Sequence, residues 1–338
     1  MREEVIQVFN VMKARGSCLP SANYIKVEKN QAYKTDAERT LIYAAADIGL
    51  DPGVYEAKKT VMVKPTYYDG EYPGRHKGND KDFVGRFYIH RSNFEDVIEA
   101  AVMFTDPRDT YRQMDKMLWQ VQKRYMFVVA TDGKRMYRGG LITSNEKVEG
   151  SYVVPIGSNL PVMKAILKAD RLGSGFDVSI YKELIAFKSG LFEFIMPLFD
   201  ARYPPVGKHL EEKHICKIYD ISGCEKMVRY MRQFVEKGTE NPQTLTIYKD
   251  KVTLNNGSYD KHFLKEYEST VEIQGKTMHP IVLQMGVDIE EDAPELVAKY
   301  KIEYFADIVK AFGDRLKLYV DRKAGLTFFV QPAVRGWF

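Results

Sequence analysis

Phe127-Val128-Val129-Ala130-Thr131-Asp132-Gly133-Lys134-Arg135-Met136-Tyr137 sets two extended apolar stretches on either side of an Asp-Gly step. Asp-Gly between apolar runs signals a hairpin, because both residues tolerate the positive φ that a tight reversal needs. The plain reading of this step is a type I′ turn whose only role is to reverse the chain. The pattern recurs. Ser179-Ile180-Tyr181 turns through Lys182-Glu183 into residues 184–187, and Gly190 opens residues 191–197. Thr246-Ile247-Tyr248 turns at Lys249-Asp250 into Val252-Thr253-Leu254, and Leu318-Tyr319-Val320 turns at residues 321–325 into residues 326–330. Repeated tight hairpins mean antiparallel sheet, since parallel strands need long crossovers.

Working outward, a short extended stretch leads into an amphipathic helix four times. Phe87-Tyr88-Ile89 precedes a helix over 93–104, and Tyr152-Val153-Val154 precedes one over 159–171. Ile218-Tyr219 precedes one over 223–237, and residues 297–300 precede one over 302–312. Ser92, Ser158 and Ser222 stand where an N-cap hydroxyl would accept from free first-turn amides. The starts recur at about 60–80 residues, a half-domain repeat. Helices lying on antiparallel sheet predict an α+β fold of repeated units. The N-terminal part differs: Val5, Val8, Phe9 and Met12 give one helix, residues 24–27 and 40–45 read as strands, and no second helix follows. Residues 69–83 are polar and turn-rich, which reads as a linker. The expected division is a reduced N-terminal domain with linker over 1–83, a middle domain over 84–212 and a C-terminal domain over 213–338.

Composition narrows the function. The chain has 338 residues, 45% hydrophobic and 28% charged, enough for two or three globular domains. No long apolar run predicts a membrane span, and the acids in Met1-Arg2-Glu3-Glu4 argue against a signal peptide. Cys18, Cys216 and Cys224 are too scattered for a disulfide framework, so a cytoplasmic protein is expected. Net charge is only +4, from 50 basic and 46 acidic residues, so any nucleic-acid surface must be local. The run Asp288-Ile289-Glu290-Glu291-Asp292 shows acid gathered elsewhere. Phosphate-loop, dinucleotide and nucleophile-elbow motifs are absent, and among six histidines only His209 and His214 lie close. No catalytic residue, metal site or cofactor is expected.

Ala130-Thr131-Asp132-Gly133-Lys134-Arg135-Met136 resembles the Ala-Thr-Asp-Gly-x-Arg-Leu hairpin in the middle domain of the bacterial DNA polymerase III β sliding clamp. Neighbouring features resemble that family in order and spacing. Phe87-Tyr88-Ile89 and its helix match the opening of that domain, Val153-Val154-Pro155 its Val-x-Pro, and Asp200-Ala201-Arg202-Tyr203-Pro204 its closing Asp-Gly-Arg-Phe-Pro. Residues 304–311 resemble the last domain's Tyr-x-x-Asp-x-x-x-Ala helix, and Phe329-Val330-Gln331-Pro332 its terminal strand. The resemblance runs from about residue 84 to the end. It implies a DNA-clamp fold: a ring with helices facing the hole and sheets facing out. It also implies binding of duplex DNA without sequence preference, and of DNA polymerase and clamp loader through short peptide motifs. A homo-oligomer follows, a dimer as in the family or a trimer built on two full domains per chain. The shortened N-terminal part departs from the pattern and bears on ring closure.

Sliding needs affinity without register, which Lys and Arg on phosphates provide. A helix over 159–171 buries Leu160, Met163, Ile166 and Leu167, leaving Lys164, Lys168 and Arg171 outward. One over 223–237 buries Met227, Val228, Met231 and Phe234, leaving Lys226, Arg229, Arg232 and Lys237 outward. By the resemblance, Lys13, Arg15, Arg108 and Arg112 also occupy DNA-touching places. The commonest fate of such residues is simply a solvated face. The helix over 93–104 is acidic instead, with Glu95, Asp96 and Glu99.

The resemblance places a partner-peptide cleft between the middle and last domains. Its matching positions are Tyr111 and Met114; Thr131, Gly133, Arg135 and Met136; Pro204, Lys208 and His209; and Gln331, Pro332, Ala333 and Val334. Met, Pro and aromatics rimmed by polar groups suit an extended peptide with hydrophobic anchors, although Met114 and Met136 also fit an ordinary core. Tyr111, Lys208, His209, Gln331 and Ala333 depart from the commonest family types. Trp337 and Phe338 read as a lid or self-ligand over the cleft. Two rivals stand: a clamp-fold adaptor that binds proteins without enclosing DNA, and an α+β enzyme or small-molecule binder with a deep pocket.

Overall fold

The computed structural model describes residues 1–13, 23–36, 38–65, 72–74, 77–133, 135–143, 148–170, 173–200, 202–204, 217–220, 243–247, 252–256, 271–273, 276–278, 296–300, 302–312, 317–321 and 326–330. They fall into two compact units, Met1–Pro205 and Val206–Phe338. In the first, α1 (Glu3–Val11) buries Val5, Ile6, Val8 and Phe9 on one stripe, as the 3.6-residue period requires. Then come β1 (Tyr24–Glu28), β2 (Gln31–Thr35), β3 (Thr40–Ala44), β4 (Gly53–Lys58) and β5 (Val61–Val63). Strands β2, β4 and β5 escaped the sequence reading because their residues carry little apolar alternation.

The polar stretch expected as a linker is partly docked. Tyr72 sets its ring edge-on to Tyr33, centroids 5.5 Å apart, and its hydroxyl donates to the Tyr24 carbonyl at 2.7 Å. A tyrosine supplies apolar area and a polar tip together, so it can settle on a sheet inside a polar segment. Residues Asp80–Asp82 form a 3₁₀ turn capped by Asn79, and β6 (Phe83–His90) begins at once.

Helix α2 spans 91–102, not 93–104, and contains a π-turn over Phe94–Ile98 between α-helical Arg91–Asn93 and Glu99–Val102. Its cap is His90, whose ring nitrogen accepts from the Ser92 amide at 3.3 Å. Ser92 is therefore inside the helix. Next come β7 (Met117–Gln122), β8 (Tyr125–Thr131), β9 (Met136–Ile142) and β10 (Gly150–Val154). Helix α3 (Leu160–Ala169) follows a 3₁₀ turn, Gly157–Asn159, that absorbs the expected cap Ser158. Asn159 takes the cap position but is buried, and its amide donates to the Pro155 carbonyl at 2.6 Å. Pro161 suits the first turn, where an amide hydrogen is not needed. Val162, Met163, Ile166 and Leu167 form the buried stripe, with Leu160 only partly covered.

Strands β11 (Gly175–Tyr181), β12 (Leu184–Ser189) and β13 (Phe192–Pro197) complete the first unit. One nine-stranded sheet runs β5-β4-β1-β2-β3-β13-β12-β11-β6, and a second runs β10-β7-β8-β9. The β3–β13 junction pairs Tyr43 with Phe192 through Thr40 with Ile195, so the larger sheet is continuous across the division drawn at 83/84. Trp119 of the smaller sheet packs against Phe187 of the larger at 5.8 Å, and Phe176 bridges Phe187 and Phe94 of α2. The core therefore lies between the sheets.

The second unit contains β14 (Lys217–Asp220), β15 (Gln243–Ile247), β16 (Val252–Asn256), β17 (Val271–Ile273), β18 (Lys276–Met278) and β19 (Leu296–Tyr300). It continues through α4 (Ile302–Phe312), at the bounds expected, to β20 (Lys317–Asp321) and β21 (Leu326–Val330). Its sheets are β14-β20-β21, β16-β15-β19 and β17-β18, all antiparallel. The helix expected over 223–237, with its cap Ser222, lies outside the described residues. The α+β class holds in both units.

Candidate functional site

The Asp132-Gly133 hairpin is not a two-residue type I′ turn. Pairing ends at Thr131↔Met136, which leaves a loop over 132–135. Thr131 Oγ1 donates to the Arg135 carbonyl at 2.8 Å and accepts from the Gly133 amide at 3.0 Å. Asp132 accepts from the Arg135 amide at 3.0 Å and from its Nε at 2.9 Å. Arg135 Nη2 donates to the Met103 carbonyl at 2.8 Å, just past α2, and the guanidinium lies over Phe104 at 4.9 Å. Gly133 has φ +81, and a Cβ there would stand 3.2 Å from Met114 Cε. The positive φ favours glycine here, whereas the flexible end of Met114 could give way.

Thr35-Asp36-x-x-Arg39 between β2 and β3 repeats this design. Thr35 Oγ1 donates to the Arg39 carbonyl at 2.9 Å, and Asp36 accepts from the Arg39 amide and Nε, both at 2.8 Å. Arg39 Nη2 reaches the Lys13 carbonyl past α1 at 2.8 Å, and Nη1 reaches Asn159 Oδ1 at 2.7 Å. One guanidinium thus ties the end of α1 to the start of α3, and the two helices pack together. Sequence reasoning missed this clasp, although its Thr-Asp-x-x-Arg spacing is legible.

Of the expected cleft residues of the first unit, Met114 meets the hairpin at Gly133. Met114 is buried, as its core reading requires, while Met136 and Pro204 are half-buried. Tyr111 is 95% exposed. The Tyr203 hydroxyl donates to the Lys116 carbonyl at 3.3 Å, and burial, outweighing a hydrogen bond with the Thr131 backbone, pushes the phenol pKa up. Lys116, paired with Asp115 at 2.9 Å, lies over Phe199 at 4.4 Å. Lys208, His209, Gln331, Pro332, Ala333, Val334, Trp337 and Phe338 lie outside the described residues.

The expected phosphate contacts divide. Lys13, Arg108, Lys164 and Lys168 are exposed. Lys164 Nζ is 2.5 Å from Glu99 Oε2 on α2, which gives the acidic helix a partner the sequence had not supplied. Arg112 Nε donates to Asp109 at 2.6 Å, and the Arg112 guanidinium and amide hold the Asp109 carboxyl below its ordinary pKa. Arg15, Arg171, Lys226, Arg229, Arg232 and Lys237 lie outside the described residues. Among the described residues no cluster of three His, Cys, Asp or Glu is placed to hold a metal. None of their helices is long and apolar enough to cross a membrane.

This architecture is the sliding-clamp fold. The DNA polymerase III beta subunit of Thermotoga maritima is similar with TM-score 0.75 at 15% identity, covering 99% of this chain and 94% of that one. The Pseudomonas aeruginosa sliding clamp gives TM-score 0.72 at 15% identity, covering 98% and 94%. The Helicobacter pylori beta clamp, solved with a DNA ligase peptide, gives TM-score 0.68 at 14% identity, covering 97% and 94%. No protein-family model and no curated protein matches the sequence. The likeness to the solved clamps covers 97–99% of the chain, and so takes in the N-terminal part where the motifs gave out.

Proposed function

We propose that the protein is a divergent member of the bacterial DNA polymerase III β family and works as a sliding clamp and polymerase processivity factor. The observation that carries this reading is the likeness to solved clamps over at least 97% of the chain. In this reading the units assemble as a homo-oligomeric cytoplasmic ring, a dimer or a trimer, with domains over 1–83, 84–212 and 213–338. Lys13, Arg108, Lys164 and Lys168 touch phosphates without reading sequence. Polymerase and clamp loader dock short peptides beside the Thr131–Met136 hairpin, as an extended chain with apolar anchors. The protein itself does no chemistry; its work is tethering.

Anisotropy of labelled duplexes against salt tests the DNA-binding part. Two unrelated sequences are expected to bind alike, with affinity falling steeply as salt rises. Absence of binding even at low salt would contradict it. A second reading, the clamp-fold adaptor without DNA, is favoured by one observation: Lys164 and Arg112 are already paired with acids. It predicts peptide capture with no duplex binding.

A further inference from the structure

We infer that Glu99 is a built-in counter-charge that competes with DNA phosphate for Lys164 and keeps that contact weak. The inference rests on the duplex-binding reading above. Lys164 sits on α3, where it and Lys168 are two of the four proposed phosphate contacts. Its side chain is 53% exposed, so it is within reach of a ligand, while the Glu99 side chain is 21% exposed and held on α2. Lys164 Nζ donates to Glu99 Oε2, a hydrogen bond between opposite charges. Phosphate must displace the carboxylate before Lys164 contributes.

The carboxylate's own place is fixed. α2 carries a π-turn, Phe94–Ile98, directly ahead of Glu99, and both rims of that turn are anchored. Phe94 and Ile98 are buried, and Arg91 at the start of the helix donates to the Leu167 carbonyl at the end of α3 at 3.2 Å. Glu99 therefore faces Lys164 across two helices that are tied together, and is not a floppy surface acid that meets it by chance. A contact of this kind suits sliding, because each phosphate hold must break readily.

The test compares Glu99→Gln, Lys164→Gln and the double variant for affinity to a random-sequence duplex over a salt series, with circular dichroism to confirm folding. Glu99→Gln is expected to tighten binding about 2- to 5-fold, the size of one exposed ion pair, and to steepen the salt slope by about 0.9, one more phosphate. In the Lys164→Gln background the same substitution is expected to change neither. Lys164→Arg, which keeps a cation, should retain the response to Glu99→Gln if Lys164→Gln unfolds. Equal tightening with and without Lys164 would overturn the inference, leaving only general charge. Absence of binding by the wild type and by Glu99→Gln alike would overturn the duplex-binding reading and this inference with it. Wild-type binding with no response to Glu99→Gln would overturn this inference alone.

Discussion

The two Thr-Asp-x-x-Arg hairpins share local bonds and differ in surroundings. At Thr35–Arg39 the Arg39 and Asp36 side chains are 4% and 2% exposed, and the guanidinium joins α1, β2–β3 and α3. At Thr131–Arg135 the same pair is several times more open, at 14% and 11%. A short sequence can therefore fix a loop's geometry while burial decides what that loop does. Sealed inside, the motif welds the N-terminal segment to its neighbour. Left at the surface, it presents a rigid rim.

That contrast can be broken most forcefully at Arg39. Arg39→Ala strands the buried Asp36 carboxylate and is expected to lower unfolding free energy by about 3–5 kcal/mol, read by urea denaturation. Arg135→Ala should cost less, about 1.5–3 kcal/mol, as loss of a partly exposed charged hydrogen bond. Equal losses would erase the distinction. Position 34 sharpens it further, since Lys34 in the buried hairpin stands where the other has Ala130. Burial lowers the Lys34 pKa from 10.5 to about 8, with Asp36 opposing and Arg39 assisting, while Nζ donates to the Phe9 carbonyl at 3.2 Å. Between pH 8 and 10.5 the unfolded chain then holds more protons than the folded one, so stability rises with pH across that window. Wild type should gain on the order of 1–2 kcal/mol over Lys34→Met between pH 7.5 and 10; parallel pH profiles would refute the burial. The smallest effect belongs to Arg112→Ala, whose solvent-screened pair with Asp109 should leave the urea midpoint unchanged.

Much of the fold was legible from the hairpin residues, because Asp-Gly turns and alternating apolar strands report local geometry. Strand β2 was not, since Lys34 and Thr35 are polar residues buried by partners remote in sequence: Lys34 meets the Phe9 carbonyl, and the clasp that begins at Thr35 ends on Asn159. Caps at Ser92 and Ser158 failed for a related reason. His90 and a 3₁₀ turn satisfied the first-turn amides from outside the expected position. The site was legible as a set of residue types, and Lys164 and Arg112 were found exposed at their expected elements. Their pairing with Glu99 and Asp109 was partly readable: Asp109-x-x-Arg112 is a local spacing, whereas Glu99 and Lys164 meet only through the packing of α2 beside α3.

The most direct trial of the clamp account is retention on DNA whose topology changes. The protein is assembled on a nicked circular duplex and filtered by size, before and after the circle is cut once. Coelution with the circle and loss after linearisation is the predicted result. Equal retention on both forms, or none on the circle, would contradict it.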